Sequence, residues 1–464
     1  MEAPKKLGTH QKALSINLDA SVFGSFAEIG AGQEVARWFL RVGGASGTVA
    51  KTISAYDKEV SDDLYGAGTR YVSKQRLQAM LENEWQQLLT QLQVTRGGFT
   101  KFFSFVDTIS ARNFSGTNDC HGWIGLRFLR MAGGQPNDVI LHVNLRDPSN
   151  LQQQEAVGIL GVNLLYAVHH NLASPEEFLA GVFEDISLHR MEIDAVELSG
   201  PAFDRWNRQE IHALLVAGDY AQAVVFPADN NFLPANELLY KRALVLAPGR
   251  FGHLDLLNKD VIATTLAELP PDELKESKGA LGLFCLSPTL VAADAKALPL
   301  SETANVVVAL QKLGYGVILF RAPELYTMSA FANRYTKYRI HFAIGLSTLV
   351  RVMADRYKEL AGSRLEGIAR LFVQNVRLIV HPIPATELEA WVSTTGIAGW
   401  TWTSSDGLVH ADQLEPPHPL DHLYKYLLAE SLILPRKILP AGSALNQAPP
   451  EGGNLQNVHR AGSE

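Results

Sequence analysis

The sequence predicts an α/β protein built from two Rossmann-like units with mostly parallel sheets, preceded by a mainly helical N-terminal segment. Strand-like apolar runs alternate with helix-like segments through most of the 464 residues, and this alternation is typical of parallel sheets covered by helices on both faces. Several runs are continuously apolar, as expected of strands that are buried on both faces. The chain is also too long for one ordinary core, so two or more domains are expected.

The predicted strands are short apolar runs bounded by polar or turn-forming residues. They are Phe102–Ile109, Ile124–Leu129, Val139–Leu145, Ile193–Leu198, Ala223–Phe226, Ala243–Ala247, Gly282–Leu286, Gly316–Phe320, Ile340–Ile344 and Val376–Val380. Helix starts are indicated at Ser149 and Ser174, because a glutamine or glutamate follows each serine three residues later and completes a capping box. A further helix is predicted from Ser73 to Leu92, where apolar residues repeat on one helix face.

These elements divide the chain into four segments. A mainly helical segment covers residues 1–93, the first α/β unit covers residues 94–236, and the second covers residues 237–440. Residues 441–464 are rich in Gly, Pro, Asn and Gln and have little to bury, which predicts a disordered tail.

The composition excludes several classes of partner and location. The net charge of −7 gives no basic surface for a nucleic-acid backbone, so no nucleic-acid partner is expected. The polar N-terminus to Lys12 lacks the apolar core of a signal peptide, and no apolar run reaches the roughly 18 residues that a membrane span needs. Two cysteines, Cys120 and Cys285, are too few for a disulfide framework. We therefore expect a cytoplasmic protein with no membrane partner.

A polar connection between two predicted strands, residues 112–123, holds hydroxyl, amide, carboxylate, thiol and imidazole groups. Packed cores have no use for such a mixture, whereas ligand-binding loops do. We predict that Asn118 binds a ligand and that Asp119 and His121 are catalytic. In the alternative interpretation, the Asn, Ser and Thr side chains satisfy turn amides locally. The histidine spacing indicates no zinc site, and no metal ligands are assigned from it.

Two further segments have features of anion-binding sites. Arg146 and Asp147 follow a predicted strand and precede the helix capped by Ser149, so they are expected beside free helix amides. In the alternative interpretation this is an ordinary turn in which Asp147 assists the helix start. The small-residue segment 43–52 includes Lys51 and is similar to a phosphate loop. Otherwise its glycines serve turns or close helix packing.

The start of the second unit resembles nucleotidyltransferases. The run Ala243–Ala247 leads into residues 249–253, and this segment resembles the strand, G-x-F and H-x-G-H pattern of that family. The resemblance implies that His253 contacts a triphosphate, and Arg250 stands beside it in the sequence. The family's second signature, a Ser/Thr-rich helix start with an arginine, is similar to residues 345–351.

Over most of its length the chain resembles a bacterial family whose members are often labelled nicotinate-nucleotide adenylyltransferase or TonB-dependent receptor. The resemblance rests on residues 26–37, 115–123, 152–156, 334–336, 365–367 and 370–372. The receptor label implies an exported membrane protein, which the polar N-terminus does not predict. The adenylyltransferase label agrees with the resemblance at residues 249–253.

Two functional hypotheses follow from these features. In the first, the protein is an enzyme that binds a nucleotide or another phosphorylated small molecule between the two α/β units, with a nucleotidyltransferase-like activity. In the second, it is a non-catalytic ligand-binding or self-assembling scaffold. Both hypotheses allow a homo-oligomer, and neither assigns a cofactor. The residues assigned to the enzyme are Arg146 and Arg250 for phosphate binding, Asp119 or Asp147 as base or metal ligand, and His121 or His253 for proton transfer.

Overall fold

The computed structural model describes residues 6–68, 70–231, 233–249, 256–267, 269–287, 299–355, 357–373 and 375–436. The chain divides into two units. Unit 1 comprises Met1–Leu238 and Leu286–Pro323, and unit 2 comprises Leu239–Cys285 and Glu324–Glu464.

The helices of the described residues are α1 (Thr9–Leu18), α2 (Gln33–Arg41), α3 (Lys58–Tyr65), α4 (Lys74–Arg96), α5 (Asn150–His170), α6 (Pro175–Val182), α7 (Arg208–Ala217), α8 (Ala235–Leu238), α9 (Leu256–Ala267), α10 (Leu300–Lys312), α11 (Leu325–Ala332), α12 (Leu346–Ala354), α13 (Ser363–Leu371), α14 (Ala385–Thr395) and α15 (Leu420–Ala429). None of these helices is both long enough and apolar enough to cross a membrane. The strands are β1 (Val22–Ile29), β2 (Val49–Ser54), β3 (Lys101–Ser110), β4 (His121–Leu129), β5 (Pro136–Leu145), β6 (Met191–Ser199), β7 (Ala223–Phe226), β8 (Ala243–Pro248), β9 (Ala280–Leu286), β10 (Gly316–Phe320), β11 (Ile340–Gly345), β12 (Val376–His381), β13 (Ile383–Pro384), β14 (Thr401–Trp402), β15 (Leu408–Val409), β16 (Leu414–Glu415) and β17 (Ile433–Pro435).

Unit 1 contains a six-stranded sheet with the order β2-β1-β3-β4-β5-β6. Strands β1, β2 and β3 are parallel, whereas β3, β4, β5 and β6 pair antiparallel. Helix α4 covers one face, where Leu77 packs with Val106. On the opposite face, Gly161 of α5 lies against Val35 of α2 and Phe105 of β3. The sheet is therefore buried between helices, which is why its strands are largely apolar.

Unit 1 also contains β7 and β10, which pair antiparallel. Helices α7 and α10 of the same unit pack against each other. These elements come from both chain segments of unit 1, because the chain leaves the unit after Leu238 and returns at Leu286.

Unit 2 contains five parallel strands in the order β17-β12-β11-β8-β9. Read from β9, this is the order 2-1-3-4-5 of flavodoxin-like doubly wound sheets. The direction in which the chain crosses the sheet reverses between β8 and β11. Ligands of such sheets bind outside the carboxyl ends of the strands at this reversal.

The predicted α/β class is confirmed, and each predicted strand run lies within an observed strand. The predicted caps are also confirmed, because the Ser149 and Ser174 hydroxyls accept hydrogen bonds from the backbone N–H groups of Gln152 (3.3 Å) and Glu177 (3.2 Å). The helix expected from Ser73 is α4. The strand runs, the serine caps and the start of α4 are each encoded by residues close together in the sequence. Tertiary packing leaves these elements unchanged.

The N-terminal segment is mainly helical, with α1, α2, α3 and most of α4, but it also contains two strands. Residues 1–93 contribute β1 and β2 to the unit 1 sheet. Gly24 interrupts the apolar run of β1 and weakens its strand signal. This glycine is required, because a β-carbon there would lie 2.0 Å from the Phe103 carbonyl oxygen. The chain leaves unit 1 after Leu238 and returns to it from Leu286 to Pro323, and the predicted tail, residues 441–464, lies outside the described residues.

Candidate functional site

Polar side chains lie on three neighbouring strands at one end of the unit 1 sheet. His121 is the first residue of β4, His142 lies on β5 and Asp194 lies on β6. Trp123 is the register partner of His142, so His121 and His142 share a face, because alternate residues of a strand point the same way. The β5–β6 register shifts after His142 and leaves Asp194 without a direct partner. Such a bulge redirects a side chain, and here it turns Asp194 toward His142.

The three side chains form a hydrogen-bonded series. Nδ1 of His142 lies 2.5 Å from Oδ1 of Asp194, and Nε2 of His142 lies 3.2 Å from Nδ1 of His121. His142 and Asp194 are buried, whereas His121 is half-buried. Burial opposes ionisation of Asp194, but its interaction and hydrogen bond with His142 hold its pKa below the usual value. The series therefore runs from a buried carboxylate toward the surface.

His121 is a neutral imidazole at pH 7. Burial, the neighbouring His142 ring and the charge of Arg70 lower its pKa to about 4. A neutral imidazole backed by a carboxylate can accept a proton. The residue pattern indicates His121 but not His142 or Asp194, although a histidine or aspartate within an apolar strand run is itself a signal of a buried polar group.

Asn118 stabilises the loop before β4. Its Nδ2 donates to Ser110 Oγ (3.0 Å) and to the Ala111 carbonyl (2.7 Å), and its Oδ1 accepts from the Asn113 N–H (2.9 Å). These contacts support the turn-forming interpretation of Asn118. Asp119 is exposed, and its carboxylate makes no hydrogen bond to a described residue.

Arg146 and Asp147 are held by internal ion pairs. The Arg146 guanidinium contacts the buried carboxylate of Glu192. Asp147 Oδ2 accepts a hydrogen bond from Arg190 Nε at 2.9 Å. Both charges are thus neutralised within unit 1, contrary to the prediction of an anion-binding pair at this strand end.

Lys51 also forms an ion pair within unit 1, and the residues around it do not form a phosphate loop. Its Nζ lies 2.7 Å from Oε2 of Glu84, a side chain that is 1% exposed, and it donates to Gln87 Oε1 at 2.9 Å. The Tyr65 hydroxyl donates to the other Glu84 oxygen at 3.0 Å. Residues 43–52 form a turn and then β2, whereas a phosphate loop leads from a strand into a helix.

Two buried carboxyl groups lie on neighbouring parallel strands of the same sheet. Glu28 on β1 and Asp107 on β3 are register partners, and they are 2% and 0% exposed. Burial raises the pKa of Glu28 to about 7 and, together with Glu28, raises the pKa of Asp107 well above its usual range. A β-carbon at Gly32 would lie 1.7 Å from Asp107 Oδ2, so this carboxyl group lies at the N-terminus of α2. Neither acid was indicated by a motif.

The carboxyl end of the unit 2 sheet is a second candidate site. Strands β8 and β11 are neighbours there, and Gly345 at the end of β11 pairs with His381 at the end of β12. Helix α12 begins directly after Gly345. The predicted Arg250 and His253 follow β8, but residues 250–255 lie outside the described residues.

The start of α12 has the features of an anion-binding site. Gly345 is its N-cap and provides no side-chain cap, and an added β-carbon there would meet nothing within 4 Å. Ser347 and Thr348 are half-exposed in the first turn. His381 is 5% exposed, and neither of its ring nitrogens has a hydrogen-bond partner among the described residues. Burial lowers the pKa of His381 to about 4, so its imidazole is neutral.

One group of side chains in the described ranges has the spacing of a metal site. Donor atoms of His418, Asp421 and His422 lie within 4.8 Å of one another. Both histidines are exposed, and Lys425 Nζ lies 3.5 Å from Asp421 Oδ2. Because a lysine already pairs with the carboxylate, we assign this group to surface ion pairing at the start of α15.

Comparisons with known proteins give only distant similarity. No family model matches the chain, and no curated protein matches it. The competence/damage-inducible protein CihA from Agrobacterium tumefaciens is 19% identical over 35% of this chain and 99% of its own, with a TM-score of 0.27. A CinA superfamily protein from Enterobacter cloacae is 13% identical over 36% and 94%, with a TM-score of 0.25. One from Escherichia coli is 15% identical over 34% and 90%, with a TM-score of 0.23. At these values the similarities support no functional inference.

Proposed function

We propose that the protein is an enzyme that binds a nucleotide or another phosphorylated small molecule at the carboxyl end of the parallel sheet of unit 2. The observation that carries the proposal is the adjacency of β8 and β11, which brings the turn at Gly345 beside the end of β8. The strand order reverses between these two strands. Doubly wound sheets bind their ligands at this position.

The amide groups of α12 supply an element that binds anions. The first N–H groups of a helix have no intrahelical acceptor, and the helix dipole adds partial positive charge there. In α12 no side chain caps these groups. The hydroxyls of Ser347 and Thr348 add donors, and the open space at Gly345 leaves room for a phosphate group. Helix N-termini of this kind bind phosphate in many α/β proteins.

His381 supplies a donor and an acceptor beside this turn. A buried imidazole without hydrogen bonds is costly, and a polar ligand would satisfy it. As a neutral ring it offers one N–H group and one lone pair. The resemblance of residues 249–253 and 345–351 to nucleotidyltransferases supports a nucleotide as the ligand, because both stretches follow neighbouring strands. Nucleotidyl transfer is the reaction class that this combination favours.

Competition by a designed N-cap carboxylate tests the site. Asp at position 345 is a good N-cap with room for its side chain, and it brings negative charge to the place proposed for phosphate. Gly8→Asp is the matched control, since Gly8 is the N-cap of α1 and an added β-carbon there also meets nothing within 4 Å.

Binding of ATP, nicotinate mononucleotide and inorganic phosphate is measured by thermal stabilisation and calorimetry. We expect at least one compound to stabilise the wild type and Gly8→Asp, with about tenfold or more weaker binding to Gly345→Asp. Equal affinity of all three proteins, or stabilisation of none, contradicts the proposal.

A non-catalytic ligand-binding or self-assembling scaffold is the second candidate. It is favoured by the internal ion pairs that occupy Lys51, Arg146 and Asp147, because these charges serve structure. Incubation with ATP, nicotinate mononucleotide and Mg²⁺ separates the candidates. Release of pyrophosphate supports the enzyme, whereas stabilisation without turnover, accompanied by large assemblies in light scattering, supports the scaffold.

A further inference from the structure

We infer that His121, His142 and Asp194 form a proton-accepting site in unit 1, and that its ligand is a small anionic molecule that also carries an O–H group. The inference rests on a continuous series of contacts, 2.5 Å from Asp194 to His142 and 3.2 Å from His142 to His121. It does not depend on the nucleotide site proposed for unit 2, because every residue involved belongs to unit 1.

The donors and acceptors assign the tautomers. The Asp194 carboxylate only accepts, so the Nδ1–H of His142 donates to it. His142 Nε2 then accepts from the Nδ1–H of His121, which leaves the lone pair of His121 on Nε2. The Asn236 amide lies 3.3 Å from the same Nδ1 atom. Turning this amide lets its buried Oδ1, which otherwise has no partner, accept there.

The series supports transfer of a proton from the ligand. Nε2 of His121 takes the proton of the ligand O–H group, and the ligand oxygen keeps the electron pair and becomes nucleophilic. The resulting imidazolium still donates through Nδ1 to His142. Asp194 stabilises the positive charge through His142, as the carboxylate of a catalytic triad does for its histidine. His142 and Asp194 are thus positioning residues.

Arg70 indicates the charge of the ligand. Its side chain is exposed and forms no ion pair with a described residue. The carbonyl of the next residue, Tyr71, accepts from Thr108 Oγ1 at 2.6 Å, and Thr108 is the register partner of Trp123, two residues along β4 from His121. The charge of Arg70 accordingly acts on His121. A guanidinium beside a neutral imidazole binds a carboxylate or phosphate group. The bound anion would also increase the basicity of His121, because opposite charge favours the protonated ring.

Nitrogen NMR of the full chain with labelled histidines reads these tautomers directly. We expect His121 and His142 to carry their protons on Nδ1 at pH 7, with a strongly downfield Nδ1 proton on His142. Observation of His121 in the Nε2–H form would overturn the inference, since Nε2 would then be a donor.

A pH titration with inorganic phosphate as the probe tests the ligand. We expect phosphate to raise the pKa of His121 by about one pH unit in the wild type and in the control Arg37→Ala, but not in Arg70→Ala. In folded Asp194→Asn the pKa of His121 should fall, whereas the control Asp185→Asn should leave it unchanged. An unaltered pKa in folded Asp194→Asn, or an equal response to phosphate in Arg70→Ala, overturns the inference. If Asp194→Asn does not fold, the tautomers of His121 and His142 measured by NMR in the wild type test the inference.

Discussion

Glu28 and Asp107 are register partners on the parallel strands β1 and β3, and both carboxyl groups are buried. Oε1 of Glu28 and both carboxyl oxygens of Asp107 have no hydrogen-bond partner among the described residues. A buried carboxylate without partners is costly, so the folded state favours the protonated acids. This pair therefore makes the folded state less stable as the pH rises.

Glu28→Gln is expected to stabilise the protein at pH 8 and to change little near pH 4.5. The pKa of Glu28 is raised from 4.5 to about 7 in the fold, so the stability due to protonated Glu28 is complete below the lower value and is lost as the pH rises through the higher one. At about 1.4 kcal/mol per pH unit, the loss is about 3 kcal/mol. Urea unfolding at both pH values measures it, with the exposed Glu59→Gln as control. A variant with the pH dependence of the wild type would contradict this prediction.

Gly32→Ala is expected to destabilise unit 1 by about 1–3 kcal/mol. The added β-carbon would lie 1.7 Å from Asp107 Oδ2, whereas in the control Gly8→Ala it meets nothing within 4 Å. The melting temperature should fall in Gly32→Ala and not in the control. The destabilisation by Gly32→Ala should be smaller in the Asp107→Ala variant than in the wild type. Equal destabilisation of the two proteins would rule out this clash as the cause.

His212→Gln is expected to flatten the loss of stability in acid. The His212 ring accepts from the Val196 N–H at 3.3 Å and donates through Nδ1 to the Arg208 carbonyl at 2.8 Å, so it is required in its neutral form. Burial lowers its pKa from 6.5 to about 4. The stability due to neutral His212 is complete above pH 6.5 and is lost, by about 3 kcal/mol, as the pH falls to the folded value.

Unfolding midpoints between pH 4 and pH 7.5 measure this effect, with the exposed His10→Gln as control. At pH 7.5 the variant should lose about 1–2 kcal/mol, because the Val196 N–H loses its acceptor. If the variant loses stability at acid pH as steeply as the wild type, His212 is not the cause of that loss.

Lys51→Met is expected to destabilise the protein by about 1–3 kcal/mol without changing its affinity for phosphorylated ligands. The change leaves the buried Glu84 carboxylate without its cation. Adding Glu84→Gln should recover part of the loss, since the unpaired charge is then removed. Weaker ligand binding at unchanged stability would instead support the phosphate-loop interpretation of residues 43–52.

Local patterns predict most elements of this fold but only part of the candidate sites. The caps at Ser149 and Ser174 depend on residues three positions away, so the sequence encodes them directly. His142 and Asp194 meet only because β5 and β6 pair with a bulge, which no one-dimensional pattern records. For Arg146, the residue type suits both anion binding and an ion pair, and Glu192, which is distant in sequence, decides between them.

Titration of the wild-type amide NMR spectrum with ATP tests the proposed nucleotide site most directly. We expect saturable shifts at the amides of Leu346, Ser347 and Thr348 and at the His381 ring, all with one dissociation constant. Chemical-shift changes confined to other residues, or the absence of any saturable chemical-shift change, would contradict the binding of a phosphorylated ligand at the start of α12.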